Sequence, residues 1–579
     1  MHNFKQTAIS LLERRDFPAL ERHLFDCPEE HRKFADEVSL LSLVEQKAPN
    51  EKLERPLDNY ISKYSGEVPI SNIVTAARLK YELGKLEEAV DLLIDNNVPR
   101  ENTEATEICV LALFNLKRFQ EGKELVNYLL AFAPNQPGYH EWNILFSYKL
   151  AKPTEVLESW ASFTKLNGEF TQRIDVLSFV VRSYVSTGRI DDAQAVYDEH
   201  NLENELDDIH AALFIADFEK AKGNLGKCET ILKRVKEKHP EIPEIQWNLA
   251  LCQLVSGNLV EGWENYEARW SWIDFSSPKR IFDAPRWDGN AGLNGKKILI
   301  WGEQGIGDQL RFLTLLPRLL SSHPDVDLTL EVDHRLIKLV RSWYPEVREI
   351  WPMGLNDTSG ISEYSQFDYQ IPSGSLPRLY FTHADSFETQ ERRFLKVSQT
   401  KKAALFGGFL EKYPRLVGVS WRSMMLTPDR IGDYVNVNGF KTLIDQAPRE
   451  TGFVILQYAI TDEEKQSLSM YPNVFIPDED FLNEVDLNAV YAGACDLLIS
   501  CGTVVATMAG IFGIPVISWC KFDDPVNLGQ KYNPWFPNRL DIRVQPNWDR
   551  VVLVNMLSKT LNNYLNRIER KNFGVTGTM

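Results

Sequence analysis

The chain has little that would cross-link it or let it hold a metal. Its 579 residues include seven cysteines (Cys27, Cys109, Cys228, Cys252, Cys495, Cys501, Cys520) with no C-x-x-C pair, which excludes the common zinc and redox thiolate motifs and fits a reducing cytoplasm. Histidine is scarce: there are ten, the last at His383. No acidic and histidine residues cluster at the spacing of a magnesium or zinc site, so no metal is expected. Long apolar runs are missing too. Nothing approaches the ~18 residues a membrane span needs, and the opening MHNFKQTAISLLERRDF carries charges every few residues with no apolar signal core. A cytoplasmic protein, neither secreted nor membrane-spanning, is expected. Positive charge is in deficit, 64 Lys and Arg against 81 Asp and Glu for a net charge of -17 and a pI near 5.2, which argues against nucleic acid or an anionic membrane as partner. The dinucleotide fingerprint G-x-G-x-x-G is absent, because the glycine-rich loop reads G-x-x-G-x-G-D at 302–308; this excludes a Rossmann dehydrogenase.

What is present divides in two. A chain of this length exceeds one hydrophobic core, so three or more folding units are expected. Short helix-turn-helix junctions recur at Gly84, Lys117, Ala151, Gly188, Gly223 and Gly257, separated by 33, 34, 37, 35 and 34 residues. That is the tetratricopeptide period. Apolar residues at helical spacing, such as Ala76, Leu79, Leu83 and Leu86 with Ala89, Leu92 and Leu93, leave each helix pair a face that only a stacked neighbour can bury. Residues 67–275 are therefore expected to form a helical solenoid, with 1–66 as a cap or degenerate repeat. Taken singly, such repeat residues are scaffold. As an array they present a concave surface suited to a polypeptide.

From Lys297 the period changes. KILIW, DLTLEV, FDYQI, VGVSW, GFVILQY, DLLIS and PVISW are short β-rich runs separated by helix-length segments, the pattern of parallel sheets flanked by helices. The expected class is α + α/β: the solenoid, a linker at 276–296, and two Rossmann-like domains at 297–400 and 401–579, the second closing with a terminal helix. A cleft is expected between these domains.

Two stretches carry candidate chemistry. WGEQGIGDQLRF, 301–312, follows one strand and opens a helix. Gly305 and Gly307 permit close approach, and Glu303, Gln304 and Asp308 sit at the carboxyl end of the strand, where open α/β sheets bind substrates. Asp308 reads equally as a helix cap. ISCGTVVATMAGIFGIPVISW, 499–519, runs from strand to helix through Gly502, Thr503 and Val504, with Thr507 one turn on. Such a helix start suits a phosphate or diphosphate; the plainer alternative is a tight strand-helix turn. Between them, Arg422 and Arg430 are placed to neutralise a phosphate, although an arginine is more often simply solvated. Trp421, Tyr532, Trp535 and Phe536 are either stacking surfaces or core.

SGNLVEGWENYEARW, PRWDGNAGLNGKKILIWGEQGIGDQLRF, VGVSWRS, DLLISCGTVVATMAGIFGIPV and YNPWFP, taken together, resemble bacterial tetratricopeptide-repeat glycosyltransferases whose GT-B part is related to heptosyltransferases and, more distantly, to protein O-GlcNAc transferase. The resemblance covers roughly residues 240–570. It implies a GT-B pair of domains, Asp308 as catalytic base, a nucleotide-sugar donor with no further cofactor, and metal independence. The family's phosphate turn often reads D-T-x-x-x-H; this chain has Gly502, Thr503 and, in place of the histidine, Thr507. The W-R-S string, a downstream arginine and Tyr434 are similar to flagellin-modifying members. That implies a flagellin-type acceptor on the repeats, O-linkage to Ser or Thr, and a CMP-linked nonulosonic acid among the donors.

On this reading Asp308 takes the hydroxyl proton late, since a carboxylate is a weak base for it, and most of the rate comes from Arg422, Thr503 and the helix start at Val504 stabilising the leaving phosphate. Two other readings stand beside it: a carbohydrate or lipopolysaccharide acceptor, and an adaptor or chaperone with an inactive transferase domain.

Overall fold

The computed structural model describes residues 2–46, 48–64, 67–98, 102–166, 173–354, 357–424 and 426–572. The chain forms two compact units, Met1–Phe179 and Val180–Met579. The end of the expected second Rossmann-like domain, 573–579, lies outside the described residues.

The described residues of the first unit form helices and the turns between them. Ile70–Glu82 pairs with Leu86–Asp95, Thr103–Asn115 with Phe119–Phe132, and Pro137–Lys149 with Pro153–Lys165. The aligned junction residues share a backbone state: φ is +76° at Gly84, +59° at Lys117, +56° at Ala151, +79° at Gly188, +85° at Gly223 and +79° at Gly257. A left-handed residue lets the chain reverse while satisfying the last helical carbonyls, as in the bond from Lys85 N–H to Lys80 O at 2.8 Å. Stacking then buries the shared faces; Ile73 and Ala77 of one helix lie with Ala89 and Leu93 of its mate and Ile108 of the next. The earlier helices His2–Glu13 and Phe17–Phe25 turn through Arg15 at φ +55°.

The second unit contains the later repeat helices, among them Ile209–Ala221, Leu225–Lys238, Pro243–Ser256 and Leu259–Tyr266, and two parallel sheets. The first sheet comprises β1 (Lys297–Trp301), β2 (Asp327–Val332), β3 (Glu349–Pro352) and β4 (Tyr369–Pro372), in the order β3-β2-β1-β4. The second comprises β5 (Arg415–Ser420), β6 (Thr451–Ile455), β7 (Val474–Phe475), β8 (Leu497–Cys501), β9 (Val516–Lys521) and β10 (Arg539–Val544), in the order β10-β9-β8-β5-β6-β7. The α + α/β class expected from the sequence is therefore the observed one. The stretch 276–296 is bound to the first sheet: Trp287 is buried and its N–H donates to Gln370 O at 2.9 Å, while Gln370 N–H donates to Pro285 O at 3.1 Å. The terminal helix Arg550–Asn572 lays Leu553, Leu557 and Leu561 on the second sheet.

One apolar core links these parts. Leu254 and Trp263 of the last repeat, Ile298 and Leu310 of the first sheet domain, and Met508 and Phe536 of the second belong to a single buried cluster. Each such side chain contributes roughly 1.5–3 kcal/mol on burial, so the last repeats are an integral wall of this unit.

Candidate functional site

The strand ends of both sheets open on one cavity of about 940 Å3 within the second unit, walled on a third side by repeat helices. On the first sheet's side, β1 ends at Trp301, whose indole N–H donates to Gln370 Oε1 at 2.8 Å. The loop then passes through Gln304 in the left-handed region, φ +61°, a state that costs a non-glycine residue energy and must be held from outside. Ser277 Oγ accepts the Gln304 backbone N–H at 2.7 Å, and the Gln304 side chain donates to the Tyr266 hydroxyl at 2.6 Å. Gly305 caps the following helix, Ile306–Leu313.

Asp308 stands in the first turn of that helix. One carboxylate oxygen accepts from Gly305 N–H at 3.3 Å and the other from Arg311 Nη2 at 2.6 Å, yet the side chain keeps 32% exposure and lines the cavity. The capping geometry and the cavity position thus coexist. Gln304, Gly305 and Gly307 line the cavity too. A Cβ on Gly307 would lie 3.4 Å from Val504 Cα, so the two strand-end loops meet backbone to backbone.

Glu303 is elsewhere. It is fully buried, paired with Arg269 at 3.1 Å, and is not among the cavity residues. Burial raises its pKa, and Arg269 only partly offsets that. Arg269 also donates to Ser375 Oγ at 2.8 Å and pairs with Glu267 at 3.0 Å, so Glu303 ties the loop to the last repeat.

On the second sheet's side, β8 leads through Gly502 and Thr503 into the helix Val504–Ile511. Thr503 N–H donates to Cys501 O at 2.6 Å, and the first bond within the helical turn runs from Ala506 N–H to Thr503 O at 3.1 Å, which leaves the Val504 and Val505 N–H groups outside the helical ladder. Thr503 makes no side-chain cap; its hydroxyl is 3.2 Å from Ser500 Oγ. Gly502, Thr503, Val504 and the buried Thr507 line the cavity, as does the exposed Arg430. Arg422 does not. Its guanidinium is 2.7 Å from Glu464 Oε2 and donates to Ala459 O at 3.0 Å. Of the aromatic candidates, Trp421 is buried core, Trp535 and Phe536 are buried in the cavity wall, and Tyr532 is 68% exposed.

Sequence reasoning did not single out several cavity residues. Arg311 lies with its guanidinium 5.4 Å from the Trp535 ring centroid; its only signal was the i, i+3 spacing from Asp308. Arg539 begins β10 with its Nε 2.6 Å from Asp541 Oδ1. Trp247 and Lys220 enter from the repeats, and Lys220 bridges Asp217 at 3.3 Å and Asp523 of the sheet domain at 3.8 Å. Asp433, also on the cavity, has its pKa pushed up to about 6 by burial, with Lys521 and Arg550 opposing and Asp523 and Asp524 adding to the rise. Eight Arg and Lys side chains line the cavity against six Asp and Glu, a local cationic excess in a chain of net charge -17. Such a surface suits an anion. No group of three or more metal-ligating side chains occurs among the described residues, and no helix there is long and apolar enough to cross a membrane.

No protein-family model matches the chain. It is similar to Protein FlbA of Caulobacter vibrioides, 30% identical over 352 residues, or 56% of this chain and 58% of the relative; the chain thus spans less than two thirds of the length of the curated relative it matches. Among solved structures, E. coli ADP-heptose lps heptosyltransferase II matches at 14% identity over 46% of this chain and 98% of its own, with a TM-score of 0.34. The O-GlcNAc transferase of Thermobaculum terrenum matches at 11% identity over 87% and 93%, with a TM-score of 0.29. A tetratricopeptide repeat protein of Parabacteroides merdae matches at 14% identity over 44% and 98%, with a TM-score of 0.28. The names of these three structures are those of the groups that the sequence strings resemble.

Proposed function

We propose that the chain is a metal-independent glycosyltransferase that moves a sugar from a nucleotide-activated donor to a Ser or Thr hydroxyl of a protein acceptor of the flagellin type, with the repeats binding that acceptor. The observation that carries this reading is that Asp308 and the start of the Val504–Ile511 helix share one cavity. A helix start offers aligned donors to a phosphate, and a carboxylate across the same space can take a proton from an incoming hydroxyl. The C–O bond from sugar to phosphate breaks as the hydroxyl oxygen attacks. Phosphate leaves with the electron pair, and the hydroxyl proton passes to Asp308. Stabilising the leaving phosphate supplies most of the rate, because a carboxylate gains basic advantage only late in such a step. A CMP-linked nonulosonic acid is one donor this reading admits, and the reading is of a cytoplasmic enzyme.

The adaptor reading draws on a specific observation: both Asp308 oxygens already hold partners within their own helix turn. Thermal-shift screening of the full chain against UDP-, GDP-, ADP- and CMP-sugars separates the two, since a ligand that binds the folded state raises the melting temperature by mass action. A transferase gives a rise with one donor class. A flat response to all four would sink the donor-binding claim and leave the adaptor. Unchanged flagellin mass in a deletion strain would sink the acceptor assignment alone.

A further inference from the structure

The turn that opens on the cavity from β8 carries no cation of its own. From Ser500 to Thr507 it reads S-C-G-T-V-V-A-T. Backbone N–H groups alone hold a phosphate weakly against water, and anion sites commonly add a guanidinium, whose planar fork matches two phosphoryl oxygens. Of the arginines that sequence reading proposed for this task, Arg422 is committed to Glu464 and Arg430 is exposed at the cavity. A different arginine meets the requirement.

Arg539 is the first residue of β10 and only 8% exposed. Its Nε donates to Asp541 Oδ1 at 2.6 Å, and Asp541 is itself fixed by Asn533 Nδ2, which donates to Oδ2 at 2.9 Å. A carboxylate held from behind and bonded to Nε orients the guanidinium and leaves both Nη groups free to serve a ligand. Neither Nη has a hydrogen-bond acceptor among the described residues, and the side chain lines the cavity. One of them, Nη2, lies 3.6 Å from where a Cβ on Gly502 would be. An almost fully buried cation with unused donors thus sits against the very turn whose N–H groups face the same space. The carboxyl of Asp524 also lines this wall; burial pushes its pKa up, with Arg311 and Arg539 opposing.

We propose that Arg539, oriented by Asp541, and the N–H groups that open the Val504–Ile511 helix form one phosphoryl-binding subsite that holds the nucleotide's phosphate and stabilises it as it leaves. The nucleotide assignment rests on the transferase reading above; the anion site itself does not.

The test is calorimetric titration of the full chain with CMP, UDP, GDP, ADP and inorganic pyrophosphate, in wild type and in Arg539→Gln, Arg539→Lys and Arg422→Gln. At least one probe should bind. Arg539→Gln should weaken it by about 30-fold or more and Arg539→Lys by roughly 10-fold, since the fork is lost but the charge remains, while Arg422→Gln should change it by less than about threefold. Nucleotide binding that survives Arg539→Gln within about threefold overturns the subsite and leaves the transferase reading standing. Pyrophosphate binding that depends on Arg539 without any nucleotide binding does the reverse. If the Gln variant does not fold, the Lys variant decides, because it keeps a cation for Asp541: affinity unchanged within about threefold overturns the proposal. Binding of none of the five probes sinks subsite and donor together.

Discussion

Gly529 of the second sheet domain lies against Gly257 of the last repeat junction so closely that a Cβ on Gly529 would stand 2.6 Å from Gly257 N and 2.7 Å from its Cα. Both are in the left-handed region, at φ +69° and +79°. The repeat and the domain therefore meet main chain to main chain, and no rotamer change can make room for a methyl group. Gly529→Ala should cost about 3 kcal/mol, from left-handed strain plus this clash, whereas Gly257→Ala, with nothing nearer than 3.8 Å, should cost only the strain, about 1 kcal/mol. Urea denaturation compares them. Equal losses would mean that this contact yields easily.

Asp308 and Arg311 separate catalysis from capping. Asp308→Asn keeps the shape and the helix turn but removes the base, so transfer should fall at least ~100-fold while stability changes by no more than about 1 kcal/mol. Arg311 touches Asp308 at 2.6 Å and acts as a positioning residue in the proposed reaction. Arg311→Met should lower kcat by roughly 10-fold with KM little moved, and Arg311→Lys should recover part of it. A loss in Asp308→Asn that merely tracks melting temperature would assign Asp308 to the helix alone.

The repeats were legible because their signal is a period. A residue at each junction must take the left-handed state, and even Lys117 and Ala151, with no glycine to mark them, fell on the spacing and adopt it. The buried strands were legible from continuous apolar runs. The missed strands are β3, β7 and β10, at sheet edges or only two residues long; β10 alternates Arg539, Asp541 and Arg543, so its polar face hid it. The cavity lining was legible at the two glycine loops and at Asp308 and Arg430. It was not legible at Arg311 and Arg539, because an arginine's position in the sequence does not say which carboxylate will claim it: Glu464 takes Arg422, while Asp541 orients Arg539 and leaves its fork free.

That pairing makes Arg422 a stability residue. Burial works against the charge on Glu464, but Arg422, Thr461 N–H and the Trp421 indole outweigh it and hold its pKa below the usual range. Removing the cation leaves a half-buried carboxylate short of a partner. Arg422→Gln should cost about 1–3 kcal/mol in denaturant melts with nucleotide affinity unchanged. Because the folded pKa is lowered, the stabilisation from Glu464 is present above the unfolded value and is lost as pH falls through the folded one; the variant should lose less stability on acidification than wild type.

Asp433 should give the opposite slope. Its folded pKa of about 6 lies above the ordinary aspartate value, so between about pH 4 and 6 the folded protein binds the extra proton and stability declines as pH rises. The decline should be on the order of 2 kcal/mol across that window and flat above it. Asp433→Asn should abolish it and leave the protein more stable at pH 7. An unaltered pH profile in this variant would show that Lys521 and Arg550 already neutralise the charge.

Glu303 tests whether the first loop's acid is chemical or architectural. Its carboxylate is the main counterion of a fully buried arginine, Arg269, that also holds Glu267 and Ser375. In Glu303→Gln the guanidinium stays buried with less than its full charge compensated, and breaking a buried pair from one side costs about 3–5 kcal/mol when no other partner remains. Glu267 remains, so about 2–4 kcal/mol is expected. The Gln304 loop hangs on the same anchorage through Tyr266, so the protein that still folds should keep its nucleotide affinity and bind acceptor more weakly. If stability is untouched while transfer is lost, Glu303 takes part in the reaction and the buried pair is not what holds it in place.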